Sequence, residues 1–275
     1  MISIPAASPA QDASAWNVEQ HAAARIIAGA MLRAGDIQWL RAGIEIRLEP
    51  GWKTYWRYPG DSGAPPTLDF TGSENVKSVM MLWPAPQLFD DGGGGHSIGY
   101  RGDVVLPLHV VAADPSRPSS LRVKLSYAVC GNLCVPAEAN LDLMLSGKGG
   151  AEEPALVAAE ARVPRRVALG SDSAQGTALA IRAVHREGAG GKEHVVVDVA
   201  APADTPVDLL VEGPTPDWAL PLPTPAALVD RGVPGLRRFT FDLDGLPPGA
   251  HADGAILTFT AVSPGDAIEV RNRLD

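Results

Sequence analysis

A chain of 275 residues with 45% apolar and 20% charged side chains is long enough to bury one large or two small cores without staples. Its net charge of −9, with no basic cluster, excludes a nucleic-acid partner. No apolar run approaches the roughly 18 residues that span a bilayer, and 29 glycines with 25 prolines point to turns and short strands rather than helical bundles. Residues 1–15, rich in Ser, Pro and Ala, read as a disordered lead-in. Their first charge is Asp12 and no basic n-region precedes an apolar core, so the chain is either cytosolic or has lost a leader.

Glu19–Leu32 is Ala-rich with apolar residues on most sides, so propensity favours a helix while a buried strand competes. Leu40, Ala42, Ile44, Ile46 and Leu48 alternate with Arg41, Gly43, Glu45, Arg47 and Glu49, the pattern of a half-buried strand. Pro50-Gly51 turns it into an aromatic strand over Trp52–Tyr58, and 59–66 reads as a loop. Asp103–Val111 is a further strand, whose Pro107 predicts an edge or a bulge. Leu121, Val123, Leu125, Tyr127 and Val129 form one alternating run, and Leu141, Leu143 and Leu145 another, so the segment between them joins two strands as an irregular hairpin. Glu152–Arg162 is predicted as a short linker helix. After Pro164, short alternating runs resume (Val195–Val199, Val207–Val211, Phe239–Leu243, Ala255–Val262, Ile268–Val270), which predicts a second β-sandwich. The predicted organisation is all-β: a lead-in (1–15), a first sandwich (16–148), a linker (149–170) and a second sandwich (171–275).

Cys130 and Cys134 are the only cysteines and lie in one short segment, Tyr127-Ala-Val-Cys-Gly-Asn-Leu-Cys-Val-Pro136. A bridge would close a five-residue ring, and loop-closure entropy gives so small a ring roughly 2 kcal/mol at best. A chain this size does not need that help, so the pair reads first as redox chemistry and second as a structural clip. A thiolate that attacks and a second thiol that resolves the mixed disulfide are what exchange requires. No Lys, Arg or His lies within Tyr127–Pro136 and no helix starts at Cys134. A shielded dithiol that reacts when a partner docks therefore fits better than one activated by a helix.

Gly51-Trp-Lys-Thr-Tyr-Trp-Arg-Tyr-Pro-Gly-Asp-Ser-Gly63, Trp83-Pro-Ala-Pro86, Ile98-Gly-Tyr-Arg101, Val105-Leu-Pro107 and the cysteine segment occur in that order. Together they resemble the amino-terminal periplasmic domain of the DsbD/ScsB family of thiol:disulfide interchange proteins, over about residues 16–146. The three-residue gap between cysteines is similar to the ScsB-like branch. The resemblance implies an immunoglobulin-like sandwich in the periplasm and a strand rather than a helix over Glu19–Leu32; the second half resembles the extra β domain of ScsB-like proteins only loosely, so the expected fold is two immunoglobulin-like β-sandwich domains, and no cofactor or metal is expected. It implies a protein-disulfide oxidoreductase component that takes electrons from a membrane-embedded donor and passes them to periplasmic thioredoxin-like or disulfide-isomerase-like proteins. Copper tolerance and cytochrome c biogenesis are the processes such domains serve. Cys134 would bond the partner and Cys130 would resolve. A capping loop over Gln87–Tyr100 would shelter the sulfurs, with Leu88, Phe89 and Asp90 as its cover and the glycines 92–95 as its hinge. Tyr55, Tyr58, Tyr100 and Tyr127 would line the site or serve as core aromatics. Full-length family members also carry a transmembrane electron-transfer domain, which these residues lack.

Two alternatives stay open. One is a non-catalytic binding module with a structural disulfide. The other is Cu(I) handling by the two thiolates with His96 or His109. No Gly-x-Ser-x-Gly, P-loop or His-Glu-x-x-His motif occurs.

Overall fold

Strands supply nearly all the regular structure of the computed structural model, which describes residues 12–171, 179–188, 193–226 and 235–275. The chain divides into two units. The first takes the residues up to Arg57, Ala64–Pro84 and Tyr100–Ala161; the second takes Tyr58–Gly63, Ala85–Gly99 and Arg162–Asp275. Two short stretches expected within the first sandwich thus group with the second.

The first eleven strands are β1 (Asn17–Glu19), β2 (Ala22–Ala34), β3 (Ile37–Leu48), β4 (Lys53–Gly60), β5 (Thr67–Asp69), β6 (Val76–Met81), β7 (Gln87–Gly92), β8 (Gly95–Arg101), β9 (Val104–Ala112), β10 (Ser119–Cys130) and β11 (Cys134–Leu145). In the first unit one sheet has the order β1-β2-β3-β9-β6, and another places β10 between β11 and β4, with β5 also pairing β10. Their inward residues form the core: Ile44, Ile46, Leu106 and Leu108 from the first sheet, Leu121, Leu125, Val129 and Leu141 from the second, with Trp56 fully buried. The alternation read from the sequence recurs in the burial of β3, where Leu40, Ala42, Ile44, Ile46 and Leu48 are buried, and Gly43 between them is buried as well.

Strand β2 settles the ambiguity over Glu19–Leu32. It is buried on both faces from Ile26 to Gly29, so it shows no alternation, and a bulge between Ala28 and Met31 breaks its register with β3. Its outer face is covered by the helix α1 (Glu153–Ala161), which packs on β2, β3 and β9. Two glycines admit the helix. A Cβ at Gly43 would stand 2.7 Å from Leu156 Cδ2, and one at Gly29 would stand 2.8 Å from Leu156 Cδ1. Leu156 is fully buried there. Around it, Arg25 binds Glu152 at 2.9 Å and Glu45 at 2.6 Å, and Arg41 binds Glu160 at 2.8 Å and also Glu153. The Glu160 hydrogen bond, ahead of Glu153, holds the Arg41 guanidinium above its ordinary value. Residues 149–170 are therefore not a free linker. Their first half is a docked helix, and Arg165–Arg166 form a strand of the second unit. Asp12–Ala15, expected in the lead-in, run beside β2: Ala28 N–H donates to the Asp12 carbonyl (2.7 Å) and Ser14 N–H to that of Ile26 (2.8 Å). Residues 1–11 of that lead-in lie outside the described residues.

Leu156→Ala is expected to cost about 2–5 kcal/mol, and Gly43→Ala about 1–3 kcal/mol through overpacking. Urea titration by circular dichroism should find the two effects strongly coupled, because removing the leucine makes room for the methyl. Strict additivity would show that the helix does not sit as described.

Pro107 lies within β9, which has β3 on one side and β6 on the other. Its backbone faces the β6 side, where Leu82 N–H donates to its carbonyl (2.8 Å), and β6 itself ends at Met81, opposite Leu108. The missing N–H therefore falls where the ladder has stopped, a local edge inside an interior strand.

The second unit holds β7 and β8 as far as Gly99, and the remaining strands: β12 (Arg165–Arg166), β13 (Ala180–Glu187), β14 (His194–Ala200), β15 (Asp208–Glu212), β16 (Thr224–Ala226), β17 (Leu236–Asp242), β18 (Ile256–Ser263) and β19 (Asp266–Arg273). They form two four-stranded sheets, β12-β19-β18-β15 and β13-β14-β17-β16. Val195, Val197, Phe239, Phe241, Phe259 and Val270 are among the residues that fill its core. Asp198, buried on β14, is held by both arms of Arg238 at 2.8 and 2.9 Å.

Candidate functional site

The cysteines occupy the end of the β10–β11 hairpin in the first unit. β10 and β11 pair without a register shift from Ser119 and Leu145 to Cys130 and Cys134, which face each other across the last rung. The hairpin is regular, not irregular as expected, and a three-residue turn, Gly131–Leu133, closes it with Gly131 N–H donating to the Leu133 carbonyl (3.0 Å). Cross-strand neighbours at the last rung lie close enough to bridge, and the two sulfurs are bonded at 2.07 Å. The pair is asymmetric. Cys130 is buried, 1% exposed, while Cys134 is exposed, and Leu133 beside it is 61% exposed.

Strand β4 borders the hairpin through Thr54 and Val129, and through Lys53 and Cys130. Thr54, Tyr55 and Trp56 are all buried. The Thr54 hydroxyl donates to the Ala128 carbonyl at 2.9 Å, anchoring β4 beside the turn. Tyr55 projects its hydroxyl to the bridge, 2.9 Å from Cys130 Sγ and 3.4 Å from Cys134 Sγ. An O–H donor at that position stabilises negative charge developing on Cys130 sulfur when the bond breaks. Lys53, directly opposite Cys130 in the register, is a cation that a reading confined to Tyr127–Pro136 misses.

The other expected tyrosines have different surroundings. Tyr100 is buried and donates to the Pro84 carbonyl at 2.8 Å. Tyr127 is a buried core residue of β10 whose hydroxyl finds no hydrogen-bond partner among the described residues; burial first, then Glu19, pushes it up to about 12. Tyr58 belongs to the second unit, where it donates to the Leu220 carbonyl at 2.8 Å, and burial, then Asp61 and Glu212, pushes it up to about 12.

The predicted cap is an ordered hairpin. Leu88 pairs Ile98, Phe89 pairs Ser97 and Asp90 pairs His96, with a bulge between Asp90 and Gly92. Gly92, Gly93 and Gly94 have φ of 78°, 64° and 86°, the left-handed values a tight tip requires. Asp90 Oδ1 accepts from Gly92 N–H at 2.8 Å, Asp91 accepts from the Ser62 and Ser97 hydroxyls, and Asp61 accepts from His96 N–H at 2.9 Å. Leu88 and Phe89 are half-buried and Asp90 is exposed.

Neither histidine of the copper reading is gathered with the cysteines into a cage. His109 Nε2 lies 3.1 Å from Glu160 and its ring tilts against Trp39, and among the described residues no three His, Cys, Asp or Glu side chains cluster to hold a metal.

Replacing Tyr55 with Phe should slow reduction of the bridge by dithiothreitol about tenfold. A hydrogen bond to a charged group contributes roughly 1.5–3 kcal/mol, and about 1.4 kcal/mol is a factor of ten. Stopped-flow fluorescence measures it; an unchanged rate would reduce Tyr55 to packing.

The family described as thiol:disulfide interchange protein DsbD, N-terminal, matches residues 28–146. The crystal structure of the N-terminal periplasmic domain of ScsB from Proteus mirabilis aligns with a TM-score of 0.71 at 23% identity, covering 96% of this chain and 98% of that one, which shows a shared fold across both units. A mutant of the enterotoxigenic E. coli CFA/I adhesin CfaE aligns at 10% identity with a TM-score of 0.14, and nothing is drawn from it. No curated protein sequence matches. Among the described residues no helix is long and apolar enough to cross a membrane. With its β-sandwich fold and the bridged cysteines at the end of one hairpin, the segment 28–146 matches the N-terminal domain of the DsbD thiol:disulfide interchange proteins.

Proposed function

We propose that this chain is a periplasmic electron carrier that reduces partner disulfides through Cys130 and Cys134. The observation that carries the reading is the asymmetry of the bridge: Cys134, an exposed residue, is joined to buried Cys130, whose sulfur has the Tyr55 hydroxyl 2.9 Å away.

In the reduced protein the Cys134 thiolate attacks one sulfur of the partner disulfide, and the other partner sulfur leaves as a thiolate. The mixed disulfide is resolved when the Cys130 thiolate attacks Cys134 Sγ and expels the partner's first sulfur. Two electrons and two protons pass to the partner, and Cys130–Cys134 is left oxidised. The bridge is re-reduced in the opposite sense: a donor thiolate reaches exposed Cys134, and Cys130 departs with its charge facing the Tyr55 hydroxyl. The family supports a membrane-embedded donor and thioredoxin-like or disulfide-isomerase-like acceptors.

Equilibration with dithiol buffers, read by thiol alkylation and mass, tests the proposal. A reduction potential above about −300 mV is expected of an exchangeable bridge. A value far below that identifies a structural clip and rejects the carrier role.

A further inference from the structure

Three turns of the first unit meet beside the cysteines. They are the link between β1 and β2 (Gln20, His21), the link between β3 and β4 (Pro50, Gly51, Trp52) and the cysteine turn itself, and they enclose a recess of about 340 Å³. Its wall is built with care. The His21 ring stacks on Trp52 with centroids 3.8 Å apart and planes at 11°. His21 sits at φ 65°, a left-handed value uncommon for a residue with a side chain, and its Nδ1 is held by Glu49 at 2.6 Å. Glu49 N–H in turn donates to the His21 carbonyl (3.0 Å) and Trp52 N–H to the Glu49 carbonyl (3.0 Å). The cysteine turn rests on the indole: a Cβ at Gly131 would stand 3.1–3.4 Å from Trp52 ring atoms. Leu133, 61% exposed, forms the side nearest Cys134.

This recess is continuous with the exchange site, because Gly131–Leu133 are at once the link between the sulfurs and one of its walls. A chain whose sulfur bonds Cys134 meets that turn beside it. An aromatic stack, a proline and an exposed leucine favour an apolar occupant over a charged one. We infer that the recess seats an aliphatic side chain neighbouring the partner's cysteine, so that this chain prefers disulfides with aliphatic flanks. The inference rests on the carrier reading above and adds to it a substrate preference.

The test uses two cyclic disulfide peptides, identical except for Leu or Ser beside each cysteine, with 5,5′-dithiobis(2-nitrobenzoic acid) as a small disulfide that needs no seat. Rates are normalised to reduction of the same peptides by dithiothreitol. Reduced wild-type protein should favour the Leu peptide about tenfold, the scale set by a small apolar group in a pocket. His21→Ala and Leu133→Ser should each bring that preference close to unity while leaving the rate with the small disulfide unchanged. Equal rates for the two peptides with wild-type protein, or a preference that survives both substitutions, overturns the seat. If wild-type protein fails even with the small disulfide, the carrier reading falls and the seat falls with it.

Discussion

Cys134→Ser is expected to abolish transfer to protein disulfides, by at least about a thousandfold as for removal of an attacking nucleophile. Cys130→Ser should instead attack once and remain attached. The difference follows from exposure: Cys134 is an exposed residue, while Cys130 is 1% exposed and gains a route to the mixed disulfide only through its neighbour. Incubating each reduced variant with an oxidised peptide and resolving the products by non-reducing electrophoresis and intact mass gives the answer directly. An adduct on Cys130→Ser and none on Cys134→Ser is the expected pattern; the reverse would exchange the two roles. Both variants should keep their circular dichroism, since so small a ring contributes only about 2 kcal/mol.

Trp56→Ala should have the largest effect on stability. Trp56 is the largest of the fully buried side chains, and the Arg57 guanidinium lies 4.2 Å over its ring. Truncating a buried aromatic costs about 3–5 kcal/mol, a large share of the roughly 5–15 kcal/mol that holds a domain together. It also loosens β4 beside Tyr55, so faster reduction of the bridge by dithiothreitol should accompany the fall in the urea midpoint. A loss below about 1 kcal/mol would show that the site collapses around the gap, and that the indole is not what fixes Tyr55.

The strands with one wet face were legible as sequence. Leu40–Leu48 and Leu121–Val129 alternate because one side of each is core and the other solvent, and that period survives in composition. Ala22–Ala34 was not legible from periodicity, since α1 dries its second face and erases the alternation; only the family resemblance favoured a strand. The cysteine pair announced itself by spacing. Tyr55 did not stand out from Tyr58, Tyr100 and Tyr127, because the choice among them depends on which strand borders β10 and in what register. The ion pairs of Arg25 and Arg41 with α1 and the His21–Trp52 stack were equally hidden, being contacts between turns or elements far apart in the chain. The grouping of Tyr58–Gly63 and Ala85–Gly99 with the second unit leaves no trace in local composition.

Helix α1 sets where the first unit may be cut. The matched family segment ends at residue 146, before the helix begins. A fragment stopped there would strip Leu156 from the small-residue strip around Gly29 and Gly43 and leave Arg25 and Arg41 without their Glu152, Glu153 and Glu160 partners. A bared, two-sided sheet bordered by stranded guanidinium groups invites sticking between copies, so a fragment carried through Ala161 should stay monomeric at concentrations where one ended at residue 146 precipitates.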